Sequence, residues 1–94
     1  MIIGAFLIRL HLSASHSLKD KRRRLKSLLS RLQREFNIAV AEAGSNDMWQ
    51  SAEVALVTVS NAKSPAESRL RRAVQWIENN YPDLEVVDVG VEWL

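Results

Sequence analysis

Apolar residues in this 94-residue chain switch back and forth between a spacing of two and a spacing near 3.6, a rhythm that leaves few folds open. Ile2–Leu12 alternates, with Phe6, Ile8, Leu10 and Leu12 on one side and Leu7, Arg9 and His11 on the other, as a half-buried strand does. After a polar loop at residues 13–16, Leu18, Leu25, Leu28, Leu29, Leu32 and Phe36 fall into one stripe at about 100° per residue. That stripe predicts an amphipathic helix over residues 17–36, and Ser17 with Asp20 has the spacing of a capping box at its start.

Residues 38–43 and the Val-rich stretch 52–60 read as two more strands, joined into a hairpin through the turn chemistry of Gly44-Ser45-Asn46-Asp47. Ser64-Pro65-Ala66-Glu67 predicts a second helix, with Ser64 as cap, Pro65 first and Glu67 third. Leu70, Ala73, Val74, Ile77 and Tyr81 form its stripe, and Asn79-Asn80-Tyr81-Pro82-Asp83 ends it. Leu84–Trp93 then alternates, with Val87, Val89, Val91 and Trp93 expected inward and Leu84 and Val86 expected beside Leu7 on an open face.

The resulting order, β-α-β-β-α-β, predicts one α+β domain over residues 1–94. Its plan is a ferredoxin-like two-layer sandwich with a four-stranded antiparallel sheet and two helices on one face. We expect strand order 4-1-3-2, with the first and third strands parallel and the first helix starting at the C-terminal end of the first strand. The sequence leaves open at which end of the sheet the hairpin turn at residues 44–51 lies.

Charge is one-sided. Residues 17–36 hold eight of the thirteen basic residues against Asp20 and Glu35, so the segment is formally +6 and the rest of the chain −4. Clustered cations attract anionic partners. On a helical wheel Lys19, Arg23, Lys26 and Arg34 share one outward arc, whereas Arg24 and Arg31 lie on another flank beside Glu35. Lys21 projects near Leu28, inside the apolar stripe, where it can snorkel toward solvent or toward an anion at the helix start.

Several function classes drop out. With no cysteine, the chain has no disulfide, thiolate nucleophile or thiolate metal ligand, and His11 and His16 offer little for an imidazole site. Gly4, Gly44 and Gly90 are isolated, so no phosphate loop exists. His11, near Arg9, is expected to meet Asp88 or Glu92 across the sheet as ordinary charge pairing rather than as a catalytic pair. No catalytic, metal or cofactor residues are assigned, and the protein is expected not to be an enzyme. No apolar stretch reaches the roughly 18 residues that span a bilayer. Residues 1–8 lack a basic leader and cleavage site, so a soluble, cytoplasmic protein is expected.

His16-Ser17-Leu18-Lys19-Asp20-Lys21-Arg22-Arg23, Lys26-Ser27-Leu28, Phe36-Asn37, Val40-Ala41-Glu42 and Asp47-Met48-Trp49-Gln50-Ser51-Ala52-Glu53 together resemble the YlxP family of small bacterial proteins. The resemblance spans nearly the whole chain. It implies a ferredoxin-like fold and a family of unknown function, whose genes often neighbour those for a translation initiation factor and ribosome-binding factor A. That association favours RNA or a ribosome-associated ribonucleoprotein as partner. It supplies no catalytic residues to carry over. Arg24 departs from the family, in which an apolar residue is more usual there.

The candidate nucleic-acid contacts are therefore Lys19, Lys21, Arg22, Arg23, Lys26 and Arg34, with Trp49 as a stacking platform if the hairpin turn lies near the start of the first helix. The third strand has no Phe or Tyr, so the sheet is not expected to read bases as an RNA-recognition motif does. Against this stand plainer readings: a solvated basic face, Trp49 folded over the core, and a protein adaptor or homodimer without nucleic acid. Trp76, off its helix stripe, is expected under a guanidinium from Arg69 or Arg72, or exposed at a dimer surface. An anion at the free N–H groups of residues 18–20 is a further option, opposed by Asp20.

Overall fold

Alternation in β1 (Ile2–Leu12) buries Phe6, Ile8, Leu10 and Leu12 completely, or nearly so, and leaves Leu7, Arg9 and His11 on the other face. The computed structural model describes residues 1–44 and 48–94, so Ser45, Asn46 and Asp47 of the expected turn lie outside the described residues. Helix α1 (Leu18–Glu35) begins as its cap chemistry requires: the Asp20 N–H donates to Ser17 Oγ at 3.1 Å. The Asp20 carboxylate accepts from the His16 N–H at 3.3 Å, one residue before the bond that closes a standard capping box. Leu25, Leu28 and Leu32 then drive the helix onto the sheet.

Strands β2 (Ala39–Gly44) and β3 (Ser51–Ser60), helix α2 (Lys63–Asn80) and strand β4 (Leu84–Trp93) complete the β-α-β-β-α-β order. The sheet runs β2-β3-β1-β4 and every neighbouring pair is antiparallel, a ferredoxin-like α+β architecture. The expectation that the first and third strands are parallel is thereby corrected. Crossover through α1 makes β1 and β2 run the same way, and β3, returning from its hairpin with β2, must oppose both. Ala52, Val54 and Leu56 of β3 join the β1 side chains beneath Leu70, Ala73 and Ile77 of α2 in one core.

Helix α2 starts one residue before its expected cap. Ala62 is the N-cap and makes no side-chain cap bond, which places Ser64 and Pro65 inside the first turn. Pro65 is tolerated there because the first N–H groups of a helix have no intrahelical acceptor. Glu67 does not close a capping box but pairs with Arg71 at 3.2 Å, one turn on.

A bulge corrects the reading of β4. Arg9 is registered with Asp88 but Leu10 with Val86, so Val87 is an extra residue and the alternation reverses across it. Leu84 and Val86 consequently face the core rather than the open side, and Val87 is exposed. Val89, Val91 and Trp93 keep the expected side, opposite Ile8, Phe6 and Gly4, although Val91 is exposed. Trp93 explains the glycine at position 4: a Cβ there would meet its ring at 2.5 Å.

Candidate nucleic-acid interface

Because β1 and β2 run the same way, the loop leading into α1 and the hairpin leaving β2 emerge at the same end of the sheet. Among the described residues, three hydrogen bonds join them. The Leu12 N–H donates to Gln50 O at 2.9 Å, Gln50 Nε2 to Ser15 O at 3.3 Å, and Lys21 Nζ to Met48 O at 2.7 Å. The hairpin is thus fastened to the first turn of α1, the arrangement the sequence left undecided. Trp49 keeps 51% of its surface exposed there, with Met48 beside it at 52%. Trp49 is therefore half exposed beside the first turn of α1 rather than buried in the core.

Lys21 is not part of the accessible surface. Its side chain is 2% exposed and its ammonium lies 3.2 Å from Glu42 Oε2, so it neither snorkels to solvent nor awaits an external anion. It crosses from α1 to β2 and the hairpin. Arg24 and Arg31, on the flank the helical wheel set apart, are also committed internally. Arg24 pairs with Asp83 in the α2–β4 connection. Arg31 Nη1 donates to the Tyr81 hydroxyl at 3.1 Å, with its guanidinium 5.1 Å from the Trp76 ring centroid and 5.2 Å from that of Tyr81.

What remains on the outside of α1 is Lys19, Arg22, Arg23, Lys26 and Arg34, all exposed. The first four line one shallow hollow together with Asp20, which holds Arg23 at 3.1 Å. Arg22 and Lys26 also border a groove floored by Leu25 and Leu29, where Glu42 marks the edge strand. Arg34 lies in the last turn, about 22 Å along the helix axis from Lys19 at 1.5 Å per residue.

Residues 3–91 match a family model described as "Protein of unknown function (DUF503)". The chain belongs to this family. It is also 35% identical over 77 residues to the uncharacterized protein YlxP of Bacillus subtilis (strain 168), an alignment covering 82% of this chain and 83% of the relative. The YlxP resemblance carried by the α1 and Trp49 segments is therefore a family relationship.

Other candidates in this DUF503 chain resolve differently. Trp76 is neither exposed nor under Arg69 or Arg72; it packs on Phe36 and Tyr81, with centroids 6.1 and 5.9 Å away. Arg69 turns instead to Thr58 Oγ1 at 2.6 Å. At the N-terminus of α1 the Asp20 N–H goes to Ser17 Oγ and the Lys21 N–H makes the first intrahelical bond to Ser17 O, so the cap takes one of the three N–H groups of residues 18–20. His11 is registered with Glu85, and Arg9, not His11, faces Asp88. Among the described residues no cluster of three His, Cys, Asp or Glu is placed to hold a metal ion, and no helix is long and apolar enough to cross a membrane.

Charge is divided between the two layers, which the sequence reading did not register. Twelve of the thirteen basic residues lie in the two helices, against four acidic ones, so the helix layer is formally +8. The remainder of the chain holds Arg9 against seven acids and is −6; Glu53, Glu85, Asp88 and Glu92 sit on the open face of the sheet, whereas Glu42 and Asp83 pair with Lys21 and Arg24 of α1. The signal was available in Lys63, Arg69, Arg71 and Arg72, but it becomes a property of a surface only when both helices share one face of the sheet.

Proposed function

We propose that this protein binds RNA, or the RNA-rich surface of a ribonucleoprotein, without catalysing a reaction on it. The observation that carries this reading is the division of charge between the layers. An anionic polymer is attracted to the helix side and repelled from the sheet side, so the outer face of α1 is the natural seat. Lys19, Arg22, Arg23, Lys26 and Arg34 hold backbone phosphates, each neutralised phosphate releasing condensed counterions. Trp49 offers an unpaired base a ring to stack on at the end of that row. Phosphate contacts position the strand, and the site reads shape and accessibility more than base edges.

The test is a fluorescence-anisotropy titration of the intact chain with a structured RNA and a duplex DNA of equal length at two salt concentrations. Binding that weakens with salt and favours the RNA is expected. Absence of binding to either at low salt overturns the proposal.

A further inference from the structure

The open face of the sheet carries a second, separate message, independent of the nucleic-acid reading. Its central columns are Ile3, Ala5, Leu7 and Arg9 on β1 and their register partners Val59, Val57, Ala55 and Glu53 on β3. Leu7 and Val59 are exposed at 47% and 54%. The flanking columns are Glu92, Gly90 and Asp88 on β4 and Ala39, Ala41 and Gly44 on β2. The face is therefore apolar and finely stepped in the middle, with charges toward one end and along the β4 edge.

The geometry points to a homodimer in which two such faces stack about a twofold axis running parallel to the strands, midway between β1 and β3. That operation lays β1 of one protomer over β3 of its partner at the same height. Leu7 meets Ala55, Ala5 meets Val57, and Ile3 meets Val59, so at the first two levels a larger side chain faces a smaller one, as interdigitating layers require. Arg9 meets Glu53, and by symmetry Glu53 meets Arg9, giving two reciprocal ion pairs, the mark of an isologous contact.

The flanks agree. The β4 acids fall over the partner's β2, with Asp88 above Gly44, Gly90 above Ala41 and Glu92 above Ala39, so acid does not meet acid. A twofold axis running across the strands is disfavoured, because it sets Asp88 over the partner's Glu92. Within one chain Arg9 and Glu53 are neighbours yet lean apart. Arg9 reaches only to Asp88 at 3.9 Å, both more than half exposed, while a Cβ on Gly44 would touch the Glu53 carboxylate at 2.8 Å. Both charges are thus available to a partner. Strands about 4.8 Å apart and about 34 Å long give a face on the order of 600 Å² per protomer, near 1,200 Å² in all, the lower edge of stable interfaces. The basic helix layers remain on the outside of the pair.

Sedimentation equilibrium of the intact chain, from micromolar to near-millimolar concentration, tests this. The wild-type chain is expected to dimerise, and Arg9→Glu or Glu53→Arg alone to raise the dissociation constant at least about tenfold, each placing like charges face to face twice. Mixing the two variants is the discriminating arm. In the mixed pair the acid introduced at position 9 of one chain faces the base introduced at position 53 of the other, and the unaltered Glu53 of the first faces the unaltered Arg9 of the second. The mixture is therefore expected to recover dimer mass while each variant alone stays monomeric. Circular dichroism reports whether each variant keeps its fold; both positions are solvent-facing, and unaltered spectra are expected. A monomeric wild-type chain, single variants that dimerise as well as wild type, or a mixture no better than its components overturns the proposal.

Discussion

Lys21 and Glu42 form an ion pair of 3.2 Å in which the ammonium is sealed from solvent and the carboxylate is 28% exposed. The asymmetry gives the pair its mechanical meaning, because a buried cation must be held where its acceptors are. The same ammonium donates to Met48 O, so one side chain ties α1, β2 and the hairpin bearing Trp49. Lys21→Met keeps the length of the side chain but leaves the Met48 carbonyl without that donor, and is expected to cost about 1–3 kcal/mol in urea unfolding. Glu42→Leu removes a carboxylate 3.2 Å from that ammonium and is expected to be destabilising as well. Unchanged stability in both variants would show that this side chain does not tie the hairpin to α1.

Arg31 is a structural cation. Its guanidinium lies near both the Trp76 and Tyr81 rings and donates to the Tyr81 hydroxyl, joining α1 to the end of α2. Arg31→Met retains the stem and removes the charge, and is expected to lower stability by about 1–2 kcal/mol. The salt dependence of nucleic-acid binding should stay as it is, because this charge faces inward. Thermal unfolding and anisotropy on the same variant check both halves.

These two residues show what was legible in the sequence and what was not. The positions of Lys21 inside the apolar stripe and of Arg31 on a separate flank follow from 3.6-residue geometry, a local property, and both were visible. Their partners Glu42, Met48, Trp76 and Tyr81 are brought by the fold from distant elements, so neither assignment was available in advance. The inward set of β4 failed for a related reason. Val87, Val89, Val91 and Trp93 alternate without interruption in the sequence, and the bulge that expels Val87 is imposed by register with Arg9 and Leu10 of β1. Element order, by contrast, depends on periodicity and caps alone and was readable throughout.

Arg23 and Arg34 sit on the exposed face of α1, about three turns apart, and neither contributes to the core. Replacing both by Glu is expected to leave the unfolding free energy within about 0.5 kcal/mol per site of wild type, as for exposed substitutions generally. Nucleic-acid affinity at low salt should fall by tenfold or more on the order-of-magnitude scale of lost phosphate contacts, and the salt slope by about 2. Anisotropy over a salt series reads both. An unchanged slope would remove α1 from the interface.

Trp49 separates the two ways a nucleic acid can sit on this end of the molecule. Phosphates can be held by Lys19, Arg22 and Lys26 whether the ligand is paired or not, but a ring can stack only on a base that has left its helix. The ring is half exposed and its hairpin is anchored through the Met48 carbonyl and the Gln50 side chain rather than through the indole. Trp49→Ala should therefore leave the fold and the anchoring bonds in place. If stacking operates, the variant loses about 1–3 kcal/mol, roughly fivefold or more in affinity, toward a single-stranded RNA, with a much smaller loss toward a duplex of the same length. Equal losses on both ligands would mean that the indole supports the hairpin instead of receiving a base, and the basic row of α1 would then have to account for binding alone.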